Sequence, residues 1–147
     1  MYIERSIDKL LLEWKNSDCR KPLLLRGARQ VGKSWAVEHL GETFDYFIEV
    51  NFEKRPEMLD VFQKIHDVHE LTANLNMYYN TPVIPGRTLL FLDEIQKSPD
   101  AIQSLWSFKE DFPELHVVAA GSLLEFTLQE LPSFGVGRIR SLFVYPF

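Results

Sequence analysis

The chain has 147 residues, a formal net charge of −5 at pH 7, 46% hydrophobic residues and 25% charged residues, which suits one folded domain able to bury a core. Its one cysteine, Cys19, excludes a disulfide framework within the chain and suits a reducing cytosol. The longest apolar runs, such as residues 89–92, are far too short to cross a bilayer, and charges interrupt the apolar positions of the N-terminal MYIERSIDKLLLEWK, so neither membrane insertion nor a signal peptide is expected. The expected location is cytoplasmic.

Charge is unevenly distributed. Residues 1–35 hold eight Lys/Arg against four Asp/Glu, and the remainder holds eight against seventeen. The two signs alternate in the basic segment, as on a solvated helix face, so it gives little support to nucleic-acid contact.

In chain order, Ile7, Leu10, Leu11 and Trp14 follow helical spacing from Ser6 to about Asn16, with Ser6 as N-cap. Residues 22–25, Pro-Leu-Leu-Leu, read as a strand buried on both faces. There follows Gly27-Ala28-Arg29-Gln30-Val31-Gly32-Lys33-Ser34, which fits G-x-x-x-x-G-K-[ST]. Glycines at both ends let the backbone bend so that successive N–H groups converge on an anion. Lys33 adds a charge for the β- and γ-phosphates, the Ser34 hydroxyl can ligate Mg²⁺, and the helix expected over residues 33–40, stopped by Gly41 at C′, points its positive end at the same place.

Residues 46–52 read as a second strand, and Pro56 opens a helix to about Ile65 with Met58, Phe62 and Ile65 inward. Val68, Leu71, Leu75 and Tyr78 or Tyr79 mark a further helix, ended by the turn-rich residues 80–86. Residues 88–92 form the third expected strand. Ser98-Pro99-Asp100 is an N-cap with proline at N1, starting a helix that carries Ile102, Leu105 and Trp106 and ends before Pro113. Residues 115–120 and about 140–144 are the fourth and fifth strands. Strands alternating with helices define an α/β domain with a mainly parallel sheet. The end at Tyr145-Pro146-Phe147, directly after an apolar strand, reads as a fragment of a longer protein.

The second chemical motif is Leu89-Leu90-Phe91-Leu92-Asp93-Glu94, two acids at the carboxyl end of a buried strand, the edge where α/β sheets bind ligands. Asp93 there can hold Mg²⁺ together with Ser34, and Glu94 can orient and deprotonate a water attacking the γ-phosphate. Ser122, after the fourth strand, can bond the γ-phosphate or that water, or simply cap a turn. Asn51 can bond Glu94 and hold it away from the water, or form a turn. His66 and His69 lack a third ligand and are expected as surface helix residues, while Trp14, Trp35 and Trp106 are expected in the core. No Asn-Lys-x-Asp stretch occurs, which favours ATP over GTP.

The loop from Gly27 to Ser34, Leu92-Asp93-Glu94-Ile95-Gln96 and Ala120-Gly121-Ser122 together resemble the prokaryotic AAA-type P-loop ATPases that carry a C-terminal domain of unknown function. The N-terminal helix, the first strand, Gly137-Arg138 and Tyr145-Pro146 are similar too, so the likeness spans nearly the whole chain. The resemblance implies that residues 1–147 are an AAA-type ATP-binding core with a RecA-like, five-stranded sheet in the order 5-1-4-3-2, lacking the family's helical lid and C-terminal domain. It further implies ATP and Mg²⁺ as cofactors, Lys33 and Ser34 as the Walker A pair, Asp93 and Glu94 as the Walker B pair and Ser122 as the sensor. Arg138, with Arg140 competing, stands where related ATPases supply an arginine to the γ-phosphate. The leading reading is ATP hydrolysis coupled to a conformational change, with a homo-oligomer or a protein partner engaged through the absent region. The alternatives are a nucleotide-gated interaction module and a small phosphotransferase. The Glu after Asp93 speaks against the phosphotransferase, because transfer requires water to be excluded.

Overall fold

The structure, a computed structural model, describes residues 6–17, 22–26, 33–122 and 140–143. Ten of its elements are helices and strands: α1 (Ser6–Lys15), β1 (Leu23–Arg26), α2 (Lys33–Gly41), β2 (Tyr46–Asn51), α3 (Glu57–Lys64), α4 (Val68–Tyr79), β3 (Thr88–Asp93), α5 (Pro99–Asp111), β4 (His116–Gly121) and β5 (Arg140–Phe143). A short 3₁₀ turn, Ile95–Lys97, lies between β3 and α5.

The strands form one sheet in the order β2-β3-β4-β1-β5, and every neighbouring pair is parallel. This is the 5-1-4-3-2 order that the family resemblance implies. All residues of β3 and β4 are buried, as uninterrupted apolar runs covered on both faces should be. Their side chains alternate between two cores. Leu90, Leu92, Val117 and Ala119 face α3, α4 and α5 together with Leu24, Ile48 and Val50. Leu89, Phe91, Val118 and Ala120 face α1 and α2 together with Leu23 and Leu25. Each fully buried Leu or Phe contributes about 1.5–3 kcal/mol by leaving water, so the sheet is held from both sides.

Local chemistry fixes the helix positions. The Ser98 hydroxyl accepts the Ala101 N–H at 3.0 Å with Pro99 next to it, an N-cap contributing about 1 kcal/mol to α5. The Asp67 carboxylate caps α4 in the same way, through His69 N at 2.9 Å. His116, at the start of β4, ties α1 to the sheet: its ring meets Trp14 and Phe44 edge-on, and its Nε2 lies 2.9 Å from the Lys15 carbonyl. Gly41 is the last residue of α2 rather than the position after it. A Cβ there would lie 2.7 Å from the Phe47 ring, so glycine lets the end of α2 sit against β2.

Other expectations shift as well. Trp14 and Trp106 are buried, but Trp35 is 56% exposed. Ala36, Val37 and Leu40 form the buried stripe of α2, and position 35 lies about 100° around the helix from Ala36. His66 follows α3 rather than lying within it, exposed and 3.8 Å from Asp100. The strand expected over 88–92 extends through Asp93, and the one expected over 115–120 runs from His116 to Gly121. Cys19 and Val144 lie outside the described residues.

The two tryptophans give a direct test. Trp14→Ala should lower the unfolding free energy in urea by about 3–5 kcal/mol, whereas Trp35→Ala should lower it by clearly less. Equal losses would contradict the described packing of α2.

Candidate functional site

The parallel register brings Arg26, Asn51, Asp93 and Gly121 to one edge of the sheet, with Asn51 beside Asp93, Asp93 beside Ala120 and Arg26 beside Gly121. This is the carboxyl edge, where open α/β sheets accept ligands. α2 starts at Lys33, so the unpaired N–H groups of its first turn and its positive dipole end belong to the same edge.

Ser34 and Asp93 meet there. Ser34 Oγ donates to Asp93 Oδ2 at 2.8 Å, while the Glu94 backbone N–H donates to Oδ1 at 2.9 Å. Asp93 is 7% exposed. Its carboxylate is therefore oriented on one oxygen by its own backbone and on the other by the first turn of α2. Mg²⁺ takes one or two protein oxygens and completes its shell with water and phosphate oxygens. A buried carboxylate beside a hydroxyl is a donor set that fits such an ion.

Glu94 follows in an unusual conformation, φ 56° and ψ 42°, left-handed for a residue with a side chain. Such a backbone costs roughly 1–2 kcal/mol; strain of this kind is concentrated at functional sites. The turn sends the chain into Ile95–Lys97, and the Gln96 amide Nε2 donates to Glu94 Oε2 at 2.9 Å. Ser122 lies one residue beyond β4, is 8% exposed, and by strand alternation falls on the face of Val118 and Ala120, the face that α2 covers.

Asn51 takes the turn-forming role. Its Oδ1 accepts the Glu53 and Lys54 N–H groups, both at 3.0 Å, and the amide on Glu94 comes from Gln96 instead. Of the other expected site residues, Lys33 opens α2. Gly27, Ala28, Arg29, Gln30, Val31, Gly32 and Arg138 lie outside the described residues, as do Gly137, Tyr145 and Pro146. Arg140 is the first residue of β5, beside Leu23.

Two further residues take part. Gln96 stands in the Leu92–Gln96 stretch that carries the family resemblance, but nothing in the sequence marks it as the partner of Glu94. Glu49 sits in β2 beside Phe91. Its carboxyl is pushed up to about 7, first by burial, then by the Glu38 carboxyl within hydrogen-bonding reach on α2, and further by the charges of Glu38 and Asp93. The only sequence trace of it is an acid within an otherwise apolar strand.

This raised value has a definite sign. The unfolded chain releases the Glu49 proton near pH 4.5 and the folded chain holds it to about 7. Between those values the native state binds more protons, so the contribution of Glu49 to stability falls as pH rises and levels off above pH 7. Denaturation midpoints of the nucleotide-free protein should therefore decline less from pH 5 to pH 7.5 in Glu49→Gln than in the unsubstituted chain. Parallel pH profiles would remove Glu49 as the source.

The model of the family described as AAA domain matches residues 19–147. Among curated proteins, none matches. The structure of the Aeropyrum pernix Orc1 protein in complex with DNA is similar in fold, with a TM-score of 0.60 at 17% identity, over 96% of this chain and 44% of that one. The chain thus spans less than half the length of that neighbour. No helix among the described residues is long and apolar enough to cross a membrane. The family match extends over most of the sequence, and the chain belongs to the AAA domain family of P-loop, ATP-binding proteins.

Proposed function

We propose that this chain binds ATP with Mg²⁺ and hydrolyses it, and that hydrolysis drives a conformational change in a larger assembly. The observation that carries the reading is the 2.8 Å hydrogen bond from Ser34 to the buried Asp93, which joins the helix after the glycine loop to the acidic end of β3. A structural serine cap would have no need of a buried carboxylate beside it, or of a strained Glu94 directly after.

In this reading residues 27–34 wrap the phosphates, with Gly27 and Gly32 allowing the bend and Lys33 reaching the β- and γ-phosphates. Ser34 and Asp93 hold Mg²⁺, which when bound neutralises charge on the phosphate oxygens. Glu94 takes a proton from the water whose oxygen bonds to the γ-phosphorus as the bond to the leaving ADP oxygen breaks. Ser122 holds the γ-phosphate or that water. Arg138 supplies positive charge to the transferred group, from this chain or a neighbouring copy. Residues 1–147 form the ATP-binding core, and a homo-oligomer or a protein partner receives the conformational change. A net charge of −5 does not favour a broad phosphate-binding surface, so protein is the preferred class of partner over nucleic acid. The cytoplasm, which supplies ATP and keeps Cys19 reduced, is the proposed location.

Two substitutions separate binding from turnover. Lys33→Ala should abolish Mg·ATP binding in a calorimetric titration. Glu94→Gln should retain ATP affinity within about threefold while phosphate release falls by about 100-fold or more. Tight ATP binding in the lysine variant, or normal turnover in the glutamine variant, would contradict the reading.

A further inference from the structure

We propose that Gln96 is a positioning residue for Glu94, and that the missing side chain at position 121 is what gives it room. The inference rests on the hydrolytic reading above and specifies how that site is held.

The Gln96 amide bridges two elements. Its Nε2 donates to Glu94 Oε2 at 2.9 Å. Its Oε1 is buried and accepts no hydrogen bond among the described residues. That oxygen lies against Gly121: a Cβ built on Gly121 would stand 2.5 Å from Gln96 Oε1, well inside contact distance, and 3.3 Å from Ile95 Cγ2. A side chain at position 121 would therefore displace the Gln96 amide from where it stands.

Burying that oxygen without a donor among the described residues ordinarily costs about as much as one hydrogen bond contributes. The arrangement is explained if the amide group is fixed by the strand edge so that its N–H aims at a set point. Glu94 needs that help because its left-handed backbone, φ 56°, carries its side chain away from the strand direction. Gln96 engages Oε2 and so sets the direction in which the Glu94 carboxylate meets the water. The residue after Gly121 is Ser122, so the same amide rests on the strand end that carries the second polar group of the site. Asn51, the other amide nearby, closes the turn after β2 through its oxygen, and among the described residues the amide hydrogen bond to Glu94 comes from Gln96.

The experiment uses the full-length protein and four variants: Glu94→Gln, Gln96→Ala, Gly121→Ala and the double Gln96→Ala/Gly121→Ala. Steady-state ATP turnover, ATP affinity by titration and thermal unfolding are measured for each. The expected result is that Glu94→Gln loses turnover and that Gln96→Ala and Gly121→Ala each lower kcat by about 10- to 100-fold. ATP affinity should stay within about twofold and the unfolding midpoint should stay in place. The double variant should be no slower than Gln96→Ala, because alanine at position 96 removes the amide oxygen that the new methyl group would displace. A Gln96→Ala variant with unchanged kcat, alongside an inactive Glu94→Gln, overturns the positioning role and leaves the hydrolytic reading intact. Losses that multiply in the double variant overturn the link between the two positions. Normal turnover in Glu94→Gln removes the hydrolytic reading itself, and this inference with it.

Discussion

The hydrogen bond between Ser34 and Asp93 joins residues 59 positions apart and depends on most of the fold. A hydrogen bond to a charged carboxylate contributes about 1.5–3 kcal/mol at best, too little to bring these segments together unaided. What brings them together is burial. Ala36, Val37 and Leu40 seat α2 on the sheet face formed by Phe91, Val118 and Ala120. At the far end of the helix, Gly41 allows contact with Phe47 that any side chain would block. With α2 fixed at that end and along its apolar stripe, its first turn has little freedom, and the Ser34 hydroxyl faces the end of β3. The apolar core thus sets the polar geometry at this edge.

Negative charge gathers near this edge. Glu38 of α2 and Asp93 at the end of β3 lie within electrostatic reach of Glu49 in β2, whose carboxyl, raised first by burial and then by those two acids, holds its proton to about pH 7. A core selected for stability alone would not gather acids on one edge, because each added charge raises the energy of the others. In the proposed reading, a cation at Asp93 would relieve part of that repulsion. The left-handed backbone at Glu94 belongs with this pattern. Stability is lower at the residues proposed to do chemistry and is made up by the apolar faces of β3 and β4, all of whose residues are buried.

How much of this the sequence reveals depends on how far each feature's cause extends along the chain. Runs such as Leu89-Leu90-Phe91-Leu92 announce a doubly covered strand by themselves, and Ser98-Pro99 announces a helix start, because the deciding forces act within a few residues. The pairing of Ser34 with Asp93 was legible because both ends carry recognisable motifs. Trp35 was misplaced because an apolar residue at the start of a helix does not declare which way the helix is rotated; that is settled by Ala36, Val37 and Leu40 against the sheet. Asn51 and Gln96 present the harder case. Both are amides close to Glu94, and sequence offered Asn51 as a partner for it. The backbone after β2 turns tightly enough to claim the Asn51 oxygen, whereas the 3₁₀ turn carries Gln96 back onto Glu94. Those outcomes depend on turn geometry and on an open space at Gly121, contributed by a strand 25 residues further on.

The central claim is that Ser34 and Asp93 form one cation-dependent unit with bound ATP. ATP affinity of the full-length protein, titrated with Mg²⁺ and with a chelator, tests it most directly in the unsubstituted chain, Ser34→Ala, Asp93→Asn and the double variant. The expected result is a strong Mg²⁺-dependent gain in affinity for the unsubstituted chain, lost in either single variant and no further reduced in the double. A Mg²⁺-dependent gain that survives in both single variants would contradict the claim.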